Sequence, residues 1–124
     1  MAKKKILLID DDVNITKFIK FALERSGRYE VLCESRGQNA LSAAKGFNPD
    51  LVLLDINLPD VPGGEVAAAF DADTAFRKVP IVFLTGMVSQ EEMQSGTMIS
   101  GRAAIAKPIQ VEKLIECIEK NTTP

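Results

Sequence analysis

Leu51-Val52-Leu53-Leu54-Asp55 decides how this chain is read: four apolar residues run into one carboxylate, and Ile56-Asn57-Leu58-Pro59 follow at once. An unbroken apolar run of this length fits a strand buried on both faces of a parallel sheet. Pro59, Pro62, Gly63 and Gly64 lie just beyond and must end it. Asp55 therefore stands at the carboxyl end of a buried strand, the edge where open α/β sheets bind their ligands. Taken alone, such an aspartate is either a turn or cap residue or a reactive or metal-binding carboxylate.

Three further runs repeat the pattern. Ile6-Leu7-Leu8-Ile9 ends in Asp10-Asp11-Asp12, Pro80-Ile81-Val82-Phe83-Leu84 ends in Thr85, and the short Ala103-Ala104-Ile105-Ala106 delivers Lys107 before Pro108. Tyr29 to Glu34 mixes apolar and charged residues, as an edge strand does. Helical spacing fills the intervals. Asp12 is expected to N-cap a helix that turns Val13, Phe18 and Ala22 inward, with Ile19 and Leu23 on its flank, before Gly27 ends it. Ser35-Arg36-Gly37-Gln38 has the form of a capping box for a helix through Ala40, Leu41, Ala43 and Ala44, closed by Gly46. A third helix is expected over 65–73, burying Val66, Ala69 and Phe70. Ser89-Gln90-Glu91-Glu92 is a second capping box, opening a shorter fourth helix through Met93. The fifth carries Val111, Leu114, Ile115 and Ile118 on one face. Strand and helix alternate five times, which implies an α/β fold: a doubly wound parallel sheet with helices on both faces and right-handed crossovers. Residues 1–124 read as one domain, with no linker or repeat.

Composition narrows the function. Apolar residues make up 46% and charged residues 26%, so the chain is globular rather than disordered. The net charge of −2 and the single basic run Lys3-Lys4-Lys5, read as a solvated strand start, argue against nucleic-acid binding. No stretch has the length of a membrane span and no signal-peptide pattern opens the chain. Cys33 and Cys117 lie far apart and form no CxxC pair; they are expected as buried free thiols in a reducing cytosol. The chain has no histidine, which removes the commonest general base and zinc ligand.

In a parallel sheet all the strand ends that carry Asp10, Asp11, Asp12, Asp55, Thr85 and Lys107 lie on one edge. Crowded carboxylates either raise a pKa or bind a cation. Oxygen ligands without His or Cys point to a hard divalent ion, Mg²⁺ first. A lysine ammonium and a threonine hydroxyl suit a phosphoryl group as point charge and donor. Gly86 would make the backbone N–H groups beyond Thr85 approachable. Carboxylates do act as phosphoryl acceptors.

Ile9-Asp10-Asp11, Leu54-Asp55-Ile56-Asn57-Leu58-Pro59 with Gly63, Leu84-Thr85-Gly86 and Ala106-Lys107-Pro108 together resemble the receiver domains of two-component response regulators, including single-domain chemotaxis regulators. The likeness runs from about Lys4 to Lys120. It implies a flavodoxin-like sheet in the order 2-1-3-4-5 and an Mg²⁺-dependent phosphorelay. By that resemblance Asp55 is the phosphoacceptor, taking its phosphoryl group from a histidine kinase or phosphotransfer protein. Asp11 is the main acidic metal ligand, Asp10 assists through water, and Asn57 offers its backbone carbonyl. Thr85 bonds a phosphoryl oxygen, Lys107 pairs with its charge, and Lys107-Pro108 is cis. Asp12 remains a helix cap. Slow self-dephosphorylation at the same site is implied. So are a protein target or a separate output domain, and a homodimer through the face of the fourth and fifth helices. No output domain is expected within residues 1–124, so the chain reads either as a stand-alone receiver acting through protein contacts or as the receiver of a longer regulator.

The chain departs from the family at three places. Ala104 stands where receivers carry a switch aromatic, Gly86 where alanine is common, and Pro62 where an acidic or amide residue is common. Two rival readings follow from the same residues. A haloacid-dehalogenase-like phosphatase would use Asp10 as nucleophile and Asp12 as acid, but it lacks a later acidic pair and leaves the Asp55 motif unexplained. A receiver that binds proteins without being phosphorylated is the other, and Ala104 is the feature that favours it.

Overall fold

The structure, a computed structural model, describes residues 2–86, 98–99 and 101–122. Its elements are β1 (Lys4–Ile9), α1 (Val13–Glu24), β2 (Tyr29–Glu34), α2 (Ala40–Phe47), β3 (Leu51–Asp55), α3 (Gly63–Ala72), β4 (Ile81–Thr85), β5 (Met98–Ile99), β6 (Arg102–Ala106) and α4 (Val111–Thr122). A short 3₁₀ turn, Gly37–Asn39, leads into α2. The expected fourth helix at Ser89–Met93 falls outside the described residues.

Five parallel strands form the sheet in the expected order, β2-β1-β3-β4-β6. The sixth, β5, is a two-residue strand that pairs antiparallel with Arg102 and Ala103 at the outer edge. Apolar periodicity cannot reveal so short a strand; the signal is Gly101, whose φ of 78° is a left-handed backbone that favours glycine in a tight reversal.

β3 and β4 are buried along their whole length, as continuous apolar runs between two helical layers must be. One core lies between the sheet and the α1/α4 layer and contains Leu8, Ile19, Leu23, Leu53, Leu84, Leu114 and Ile118. The other lies under α2 and α3 and contains Leu7, Ile9, Leu54, Val66, Phe70 and Phe83. Each fully buried Leu, Ile or Phe contributes roughly 1.5–3 kcal/mol.

The helices correct several expectations. Asp12 does cap α1, accepting from Asn14 N and Ile15 N. The buried face of α1, however, is Thr16, Ile19, Ala22 and Leu23, while Val13 and Phe18 are exposed. Packing against β2 and α4 rotates the helix toward what the apolar spacing placed on its flank. In α3 Ala67 is buried where Ala69 was expected, and the helix starts two residues earlier, at Gly63. Gly46 lies inside α2; Asn48 ends it at φ 61°. The Ser35-Gln38 box does not form, because the N–H groups of Gly37 and Gln38 donate instead to the Asp60 carboxylate, at 3.0 Å each. Cys33 is exposed and Cys117 half-buried, so neither is a core thiol. Lys4 is not merely solvated: its ammonium reaches Glu119 at 3.1 Å and the Thr122 hydroxyl at 2.8 Å, tying α4 to β1.

Candidate functional site

Register brings the predicted residues together. Ile9 is level with Leu54, Asp55 with Leu84, and Thr85 with Ala106. The ladder runs on past the strand ends: Ile56 N donates to Leu84 O at 3.2 Å, and Lys107 N to Thr85 O at 2.8 Å. Side chains alternate along a strand. Asp10, Asp55 and Lys107 therefore continue the rows of Leu8, Leu53 and Ile105, and all three emerge on the α1/α4 side of the sheet edge. Thr85 continues the row of Phe83 and is buried at the end of β4.

The result is a compact charged pocket. Lys107 Nζ lies 3.0 Å from Asp10 Oδ2 and 3.5 Å from Asp55 Oδ2. Asp10 Oδ1 accepts from Asp12 N at 2.9 Å, and Asp55 Oδ1 from Asn57 N at 3.1 Å. Asp10 and Asp55 are buried, and Asp11 is exposed at the mouth. Burial pushes the Asp10 carboxyl above the usual carboxylate range; the Asp12 N–H and Lys107 oppose that, and the charge of Asp55 adds to it. Burial also works against the Lys107 ammonium, but the two carboxylates outweigh it and raise its pKa.

Carboxylate oxygens of Asp10, Asp11 and Asp55 all lie within 4.8 Å of one another. Asp10 Oδ2 is buried and, apart from its ion pair with Lys107, accepts no hydrogen bond. Three carboxylates against one ammonium leave the pocket short of positive charge. A hard divalent cation with oxygen ligands fits this set.

The loop that follows Asp55 is held close. Gly63 N donates to Ile56 O at 2.8 Å, and a Cβ on Gly63 would stand 2.6 Å from Asp55 O and 2.7 Å from Ile56 Cα. Only glycine allows this approach, which folds the loop back beneath the end of β3. The Lys107-Pro108 peptide is cis, as expected. Ala104 lies level with Phe83, half-buried against the α2/α3 core. Sequence reasoning missed Asp60, whose tie to Gly37 and Gln38 joins two loops distant in sequence; no local pattern announces it.

Fold and site together define a class: an open parallel α/β domain with an acidic, lysine-bearing pocket at the carboxyl edge of its sheet. Residues 6–119 match the family model of the response regulator receiver domain. The polar-differentiation response regulator DivK of Brucella ovis is 32% identical over 116 residues, covering 94% of each chain. The chemotaxis protein CheY4 of Vibrio cholerae superposes with a TM-score of 0.82 at 28% identity, covering 96% of this chain and 98% of that one. The receiver domain of sensor histidine kinase PA1611 from Pseudomonas aeruginosa, solved with a magnesium ion in its active-site cleft, gives 0.83 at 27% identity, covering 99% and 100%. The chain belongs to the response regulator receiver domain family, and its function is that of a phosphoacceptor in two-component signalling. Among the described residues no helix is long and apolar enough to cross a membrane.

Proposed function

We propose that Asp55 accepts a phosphoryl group from a partner's phosphohistidine, in a pocket that Asp10, Asp11, Asp55 and the Asn57 carbonyl complete with Mg²⁺. One Asp55 oxygen attacks phosphorus, the phosphorus–nitrogen bond breaks, and the freed imidazole leaves with the electron pair and takes up a proton. The product is an acyl phosphate on Asp55. In this reading the Lys107 ammonium, 3.5 Å from Asp55 Oδ2, pairs with a phosphoryl oxygen, and the hydroxyl of Thr85, buried at the neighbouring strand end, serves as a further donor once the β4 end adjusts to the added group. Mg²⁺, when bound, neutralises charge on the transferring group. Water attack at the same phosphorus returns the carboxylate and releases phosphate. The donor is a histidine kinase or phosphotransfer protein, and the output is a changed contact with a protein target.

The observation that carries this reading is the buried Asp55 carboxylate, flanked by one ammonium and two further carboxylates. Incubation with acetyl phosphate and Mg²⁺ should add the mass of one phosphoryl group. Asp55→Asn should lose it. An adduct that maps to Asp10 overturns the assignment, and none at all in the unsubstituted protein favours a phosphorylation-independent binding module.

A further inference from the structure

Asp60 takes no part in the chemistry just described, yet it is the tip of the loop that carries Asn57. That loop is closed at its base by Gly63 N donating to Ile56 O at 2.8 Å. At its tip, both Asp60 oxygens accept backbone N–H groups from another loop: Oδ1 from Gly37 and Oδ2 from Gln38, each at 3.0 Å. The approach is tight. A Cβ on Gly37 would stand 2.9 Å from Val66 Cγ2, 3.0 Å from Leu58 Cδ1 and 3.3 Å from Val61 Cβ. Leu58 and Val61 belong to the same loop and pack beneath it. The Gln38 and Gly37 N–H groups also hold the Asp60 carboxyl below the usual carboxylate range, as acceptance of backbone donors does.

Residues 56–62 are thus held at base, underside and tip. Asn57 sits between the base and the tip, with its N–H on Asp55 Oδ1. Its carbonyl has little freedom to choose its direction. Groups that orient a metal ligand matter nearly as much as the ligand itself.

We propose that Asp60 is a positioning residue for the metal site: through Gly37 and Gln38 it fixes the loop that presents the Asn57 carbonyl. The proposal rests on the assignment of that carbonyl as a metal ligand. Asp60 touches neither the metal nor the phosphoryl group. It acts by pre-paying the ordering of the loop, so its loss should weaken metal binding and leave the chemical step nearly unchanged once metal saturates.

The test is direct titration with Mg²⁺ alone by calorimetry, on unsubstituted protein, Asp60→Ala and Asp60→Asn. Asp60 is exposed, so the variants should fold; thermal melting in chelator checks this. Asp60→Ala should weaken the Mg²⁺ dissociation constant by about tenfold, the lower end of the cost of losing a ligand-orienting group. Asp60→Asn keeps one acceptor oxygen and should fall between. The rate of phosphorylation by acetyl phosphate should recover to near the unsubstituted value at saturating Mg²⁺. In unsubstituted protein Mg²⁺ should shift the Gly37 and Gln38 amide resonances, and in Asp60→Ala it should not. Equal Mg²⁺ affinity for Asp60→Ala and unsubstituted protein overturns this proposal alone. Unsubstituted protein that binds no Mg²⁺ overturns the metal site and this proposal together.

Discussion

The Lys107 ammonium lies 3.0 Å from Asp10 Oδ2, deep in the pocket, and 3.5 Å from Asp55 Oδ2. One cation therefore serves two carboxylates. If Asp55 gains negative charge as proposed, the same ammonium would turn toward it, coupling the state of Asp55 to the end of β6.

Lys107→Met tests that coupling. Phosphorylation by acetyl phosphate should slow by about 10²–10³-fold, the cost of removing one donor aimed at developing charge. Mg²⁺ affinity should hold or tighten, because a competing cation has been removed from Asp10. Intact mass against time and calorimetry read the two effects separately. A drop in both would mean the lysine is needed only to keep the pocket folded.

Metal removal gives a second test. Chelator should abolish phosphorylation, and added Mg²⁺ should restore it. A cation held by the three carboxylates would bind the folded chain alone, so Mg²⁺ at a hundredfold excess over its Kd should add about 2.7 kcal/mol of stability. Asp11→Ala should lose most of that gain in a urea titration.

Tyr29 is the sole tyrosine, so its ionisation can be followed by ultraviolet absorbance without assignment. Burial, then its hydrogen bond to Glu119 at 2.6 Å, pushes its pKa up to about 12. The folded value lies above the unfolded value of about 10. Its contribution to stability is therefore complete below about pH 10 and is lost as pH rises through about 12. The tyrosinate band should titrate near 12 in the folded protein, and Tyr29→Phe should flatten the alkaline limb of the stability curve. A midpoint near 10 with the fold intact would contradict the buried bond.

Gly63→Ala should cost roughly 1–3 kcal/mol in a urea titration, as overpacking does. The obstructing atoms are the backbone oxygen of Asp55, at 2.6 Å, and the backbone carbon of Ile56, which cannot swing aside. Mg²⁺ binding should weaken with it, since the strain falls on the end of β3 that carries Asp55. Gly64→Ala, where no atom lies within 4 Å, is the control.

The two faces of α1 give the last prediction. Leu23→Ala should cost about 2–5 kcal/mol because it opens a cavity in a packed core. Phe21→Ser should leave stability within about 0.5 kcal/mol, since Phe21 is 68% exposed. Equal losses would mean that α1 is rotated from the orientation described.

Much of the fold was legible along the chain because its determinants are local. Leu51–Leu54 and Ile81–Leu84 carry no polar residue, so they had to be central strands. Tyr29–Glu34, with charges interleaved, had to be an edge. The strand ends of a parallel sheet share one edge, and that alone gathered Asp10, Asp55, Thr85 and Lys107. The rotation of α1 was not legible, because Val13, Phe18 and Phe21 are as apolar as Ile19 and Leu23. Which of them is buried depends on what β2 and α4 cover. The Ser35-Gln38 box failed for a related reason: a capping pattern predicts one acceptor for a free N–H, and a stronger one, Asp60, reached it from a distant loop.

The sequence by itself determined the parallel α/β fold, the identity of the chemical groups and the edge on which they meet, since these follow from side-chain period and strand direction. The tertiary structure decided what no period encodes. Strand register set Lys107 between Asp10 and Asp55, and close packing of Gly37 and Gly63 folded the Asn57 loop under the end of β3. Those are distances between segments far apart in the chain, and only the packed core fixes them.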